Sequence, residues 1–273
     1  MLKKLYKYDF KSIFKLWKIF AIIIFTASVL MGLFFGAIDV STIDEYNHPL
    51  IYIIFTLTVL AFVFAMSAFI ISPTILSIVR FCKNLFSDEG YLTFTLPVKK
   101  KDILNAKLKS ALVLECLTIV VAFFSIFVCL VLSGIQHPED VVHIIGDIFD
   151  SFVDKGVWSI IYLVEILLLI FAIITYMILL IYACITFACL ITKKARVITA
   201  IGIYYGINSI LGILWNLFAM SSFFGTSIIM QLYTASDVAI ASILGIVIIF
   251  ISIVCLLLYM LEYYFLDKKL NLT

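Results

Sequence analysis

Charge is scarce in this sequence. Asp, Glu, Lys and Arg make up 13% of its 273 residues, while 65% are hydrophobic. Ordinary soluble domains carry about 25% charged residues, and one soluble core could not hide this much apolar side chain. The net charge of +2 carries no signal for nucleic acid, and none is expected as a partner. The chemistry of a catalytic site is missing too. The three histidines, His48, His137 and His143, lie outside the apolar runs. There is no G-x-S-x-G, no H-E-x-x-H, no C-x-x-C and no Cys/His cluster. None of the 11 glycines precedes a lysine, which excludes the P-loop pattern. The chain is therefore read as a non-enzyme that binds no cofactor or metal of its own. Short alternating apolar segments are absent as well, which argues against a β-barrel.

Long uncharged runs are what the sequence has instead. Residues 19–38, 50–79, 197–236 and 238–261 carry no charge; residues 110–134 carry only Glu115, and residues 157–192 only Glu165. A helix crossing a bilayer needs about 20 apolar residues, and backbone in hydrocarbon must satisfy its own hydrogen bonds. The expected fold is an all-α membrane protein with six transmembrane helices, a multi-pass protein of the cell membrane forming one transmembrane domain over residues 1–273. The 40 residues of 197–236 are too long for one crossing and too short for two with a loop. They read as one span to about residue 218, followed by a re-entrant or interfacial segment at 219–236, where Ser221, Ser222, Gly225, Thr226 and Ser227 supply turn chemistry.

Basic residues set the orientation. Eighteen of the 19 fall before the first span, in the 80–109 loop, at Lys193, Lys194 and Arg196, or in the tail; only Lys155 lies on the other side. The positive-inside rule makes that set cytoplasmic, with both termini inside. None of the six cysteines falls in an outer loop, so no structural disulfide is expected. The N-terminus lacks a small-residue cleavage site, so no cleavable signal peptide is expected.

Several local features carry functional expectations. Residues 1–18 read as an N-terminal amphipathic interfacial helix: Lys4, Lys7, Lys11, Lys15 and Lys18 recur on one face, opposite Tyr6, Phe10, Ile13, Phe14 and Trp17. It serves as a topology anchor or as an elbow that docks a partner. Pro73, after Ser72, should kink the second span. In the loop after the third span, Val141, Ile145, Ile148, Phe149 and Phe152 repeat at helical spacing, which suggests an interfacial helix. There His143 and Asp147 either share a ligand or belong to a solvated acidic face. Gly32-x-x-x-Gly36 and Gly202-x-x-x-Gly206 are helix-packing motifs, within one subunit or across a dimer seam. Glu115 and Glu165 are intramembrane acids, costly unless they have a role. They line a path, carry a proton or form a structural hydrogen bond; for Glu115, Lys109 is a candidate partner. Residues 80–109 hold unusual apolar content for a loop, which calls for a cover of membrane or protein.

That loop resembles the type-2 family of ABC transporter permeases, the membrane subunits of bacterial ABC exporters. The likeness rests on Arg80-Phe81, Asn84-Leu85-Phe86, Asp88-Glu89-Gly90-Tyr91-Leu92, Thr95-Leu96-Pro97 and Lys107-Leu108. It rests also on the tail, where Tyr263-Tyr264 is followed by Lys268, Lys269, Leu270, Asn271 and Leu272. The resemblance implies a permease that pairs with a second permease subunit, the same or a related chain. It implies that residues 84–97 form the coupling loop, on which a cytoplasmic ABC ATPase subunit docks and to which it transmits the energy of its own ATP and Mg. Asp88 and Glu89 would meet basic residues of that partner, or cap a helix. Two other readings stay open: a proton-coupled secondary transporter using Glu115 and Glu165, and a non-transporting membrane anchor or sensor for a cytoplasmic protein.

Overall fold

A computed structural model describes residues 2–37, 49–86, 99–134, 138–192, 196–220 and 236–269. Seven α-helices carry them: α1 (Leu2–Ala37), α2 (Pro49–Phe86), α3 (Lys100–Ser133), α4 (Pro138–Asp154), α5 (Val157–Ile191), α6 (Arg196–Met220) and α7 (Asp237–Tyr264). A π-helical turn, Phe265–Lys269, extends α7. There is no strand among the described residues. Five helices (α1, α2, α3, α5 and α7) are long and apolar enough to cross a membrane. The sixth expected span falls on α6, whose apolar stretch Ile198–Ile213 is shorter. At 1.5 Å per residue the 38 residues of α2 reach about 57 Å, well beyond a hydrocarbon core of about 30 Å.

The chain divides into two compact units. The first comprises residues 1–80 and 109–154. Its core is a face of α1 at helical spacing, with Ile13, Trp17 and Ile24 buried together with Phe69 of α2 and Leu114 and Ala122 of α3. Lysines 7, 11, 15 and 18 lie on the exposed side of the same helix. The amphipathic stretch expected at 1–18 and the first apolar run are one uninterrupted helix. A ladder of stacked rings, Tyr6, Phe10, Phe14 and Trp17, climbs it with centroids 5.3–5.7 Å apart.

Pro73 lies inside α2. Its missing N–H deprives the Phe69 carbonyl of its helical donor. The Ser72 hydroxyl donates to that carbonyl at 2.8 Å and repairs the gap. Other hydroxyls fold back in the same way, Thr58 onto Ile54 and Ser252 onto Ile248 among them, as polar side chains in apolar helices must.

The second unit comprises residues 81–108 and 155–273. Helix α5 is its centre. Residues 178–180 and 182–186 are buried on all sides, which is the pattern of a helix enclosed by neighbours. It packs along α7 and α6. Phe81, at the end of α2, stacks face to face on Tyr182 with centroids 3.9 Å apart.

Candidate functional site

Polar side chains are few in these helices, so their pairings mark where neighbours are fastened. In the first unit three links join α1, α2 and α3 towards the helix ends that carry the basic residues. Arg80 Nε meets Asp9 Oδ1 at 3.2 Å, and the Asp9 side chain is only 7% exposed. The Trp17 indole N–H donates to Thr118 at 2.7 Å. Thr74, directly after the proline, donates to Glu115 Oε1 at 2.5 Å. Glu115 is thus an interhelical acceptor, and its described partner is Thr74 on α2 rather than Lys109. Further from the basic end the contacts turn apolar: Phe25 stacks on Phe124, and Phe35 meets Phe55 edge to face.

In the second unit a matching set fastens the start of α3 to the end of α7. Lys100 Nζ donates to the Asp267 carbonyl at 2.9 Å and lies 3.6 Å from its carboxylate. The Tyr259 hydroxyl donates to Asn105 at 2.8 Å. Glu262 of α7 is fully buried. The Thr186 hydroxyl of α5 is shared between Glu262 Oε1 at 2.9 Å and the Tyr182 carbonyl at 2.7 Å. Glu262 Oε2 has no hydrogen-bond partner among the described residues. At the opposite end of α5, the Tyr162 hydroxyl donates to Asp237 Oδ1 at 2.9 Å, with Lys155 5.4 Å from the tyrosine ring. Glu165 keeps one buried oxygen without a hydrogen-bond partner among the described residues. Its other oxygen faces Gly245, where an added Cβ would come within 4.0 Å.

The remaining expected residues distribute unevenly. Asn84 is half-buried in the last turn of α2. Leu85 and Phe86 are helical, with side chains outside the description. Asp88, Glu89, Gly90, Tyr91, Leu92, Thr95, Leu96 and Pro97 lie outside the described residues, as does almost all of 219–236. Gly32 and Gly36 are buried. A Cβ at Gly32 would sit 2.7 Å from Leu132 Cβ and 2.9 Å from the Cys129 carbonyl oxygen. At Gly202 and Gly206 a Cβ would meet no described residue within 4 Å. His143 and Asp147 are exposed on α4, and no group of three metal-ligating side chains occurs among the described residues.

Sequence reasoning missed Glu262, because the apolar run of the last span ends at residue 261 and a charge just beyond reads as the helix end. Spacing held the signal: Cys255, Tyr259, Glu262 and Leu266 fall on one helical face, and all but Tyr259 are buried. Asp9 was hidden in the same way among the lysines of the first turns. No protein-family model, no curated protein and no solved structure matches this chain.

Proposed function

We propose that this chain is the membrane-spanning permease subunit of an ATP-driven exporter of the cell membrane. It has six spans, cytoplasmic termini and a coupling loop at residues 80–109 that docks a separate ABC ATPase. The observation that carries the reading is that both ends of this loop are fastened by charge to other helices. Arg80, where α2 enters the loop, is held by Asp9 of α1. Lys100, where the chain returns as α3, is held by Asp267 after α7. The resemblance of 84–97 to a coupling loop supplies the partner, and these bridges supply routes for its motion. ATP-driven closure of the ATPase pair would push on the loop. Displacement of the end of α2 would pull on α1, and displacement of the start of α3 on α7. The interhelical bond from Thr74 to Glu115 ties α2 to α3 nearly two turns along α2 from Arg80.

A second permease would complete the path. The exposed Gly202-x-x-x-Gly206 face of α6 is where we place that contact, since small residues let helices approach closely. The proton-coupled reading draws its support from Glu165 and its buried, unpartnered oxygen. Transport in proteoliposomes separates the two. The exporter reading expects uptake into inside-out vesicles to require the ATPase and ATP and to survive Glu165→Gln. Uptake driven by a proton gradient without the ATPase, abolished by Glu165→Gln, would replace it.

A further inference from the structure

We propose that α4 lies flat in the lipid–water interface, at the end of the spans opposite the basic residues, with one side sunk in lipid and an acidic side in water. The inference rests on the membrane reading alone and is independent of any ATPase.

The first support is the division of its surface. At about 100° per residue, Val142, Ile145, Ile148, Phe149 and Val153 gather on one side of the helix, while Glu139, His143, Asp147, Asp150 and Asp154 gather on the other. Both sides are exposed in the chain; Val142 and Phe149 are each 67% exposed. An apolar face of this size on a helix otherwise rimmed with charge marks a binding surface.

The second support is the tethering. Helix α3 ends at Ser133 and α4 begins at Pro138, while two residues, Lys155 and Gly156, separate Asp154 from the start of α5 at Val157. The two-residue connection reaches roughly 10 Å, whereas the 17 residues of α4 extend about 26 Å. Were α4 upright, its far end would lift the start of α5 into water, where Val157 (72% exposed) and Ile160 (56%) would lose their apolar surroundings. Glycine makes both turns. A Cβ at Gly134 would collide with the Val141 side chain, so glycine permits the close return of α4. Gly156 has φ +53°, the left-handed region that glycine adopts at no steric cost.

The third support identifies the occupant. Exposed apolar side chains run from Leu130 and Val131 at the end of α3 to Val142, Ile145 and Phe149 of α4, so within this unit the face belongs with the surface that a span presents to lipid. The water side has no lysine or arginine within α4. Interfacial helices that use basic residues gain affinity from anionic headgroups; α4 relies on apolar burial alone and needs no anionic lipid.

An environment-sensitive fluorescent amino acid placed at Phe149, at Ile145 or at Asp150 tests this in the full chain reconstituted into phosphatidylcholine vesicles. We expect doxyl-labelled lipid to quench emission from positions 149 and 145 while aqueous iodide leaves them bright. At position 150 the pattern should reverse, and adding phosphatidylglycerol should change neither. Iodide quenching at 149 and 145 equal to that at 150 would overturn the proposal by placing the helix in water. Protection of 149 and 145 from both quenchers would overturn it by showing a second copy or another protein on the face. Two apolar positions are labelled so that one misfolded variant leaves the test intact.

Discussion

A buried carboxyl group in an apolar bundle makes its nearest hydroxyl matter more than most residues. Glu262 is fully buried, and its described side-chain bond is to Thr186. Removing that hydroxyl strands the carboxyl, and a buried polar group without its partner costs about 1–3 kcal/mol. Thr186→Ala should therefore lower the thermal unfolding midpoint in detergent. Combining Thr186→Val with Glu262→Leu, which replaces both partners by apolar groups, should recover much of the loss. Equal destabilisation by the single and double changes would show that the pair is not the reason for the residue. Gly32 makes an opposite point about size. With Leu132 and Cys129 inside 3 Å of any added Cβ, Gly32→Val should cost about 1–3 kcal/mol through overpacking. Gly202→Ala, whose added Cβ would meet no described residue within 4 Å, should stay within about 0.5 kcal/mol. The same thermal measurement, made on monomeric protein, checks both.

Among the elements, α2 carries the clearest internal logic. Pro73 breaks the backbone ladder, and Ser72 satisfies the carbonyl left behind. A double-mutant cycle reads this directly: Ser72→Ala should destabilise the native chain by about 1 kcal/mol and much less in a Pro73→Ala background, where a backbone N–H is restored. Equal effects in both backgrounds would mean that the serine acts elsewhere. The helices themselves were legible because hydrocarbon leaves a chain few choices. Apolar runs of 20 residues and more, uncharged or with a single Glu, announce α1, α2, α3, α5 and α7, and the helical spacing of Val141, Ile145, Phe149 and Phe152 announced α4. Their lengths were not legible. Helices of 34 to 38 residues run past the apolar stretches into the lysines, since Lys is itself a good helix former. For that reason the basic first turns and the first span form one helix.

Across the whole molecule, the pairings are what the sequence hid. Positive charge gave a side for each loop, but nothing in one dimension joins Asp9 to Arg80 or Lys100 to Asp267. Those links depend on which helices become neighbours. Glu115 illustrates the difference: its nearest lysine in sequence is Lys109, six residues away, yet its described partner, Thr74, lies on another helix. The loop motif, by contrast, is visible only in sequence, and it supplies the central claim that residues 84–97 dock an ATPase.

Co-purification tests that claim most directly. The intact chain and a variant with Asp88, Glu89, Tyr91 and Leu92 changed to Ala would be extracted from the native membrane in mild detergent, each checked for monodispersity. Our account predicts that a P-loop ATPase accompanies the intact chain and is lost from the variant. An intact, well-folded chain that emerges without an ATPase, or an ATPase that stays bound to the variant, would contradict it.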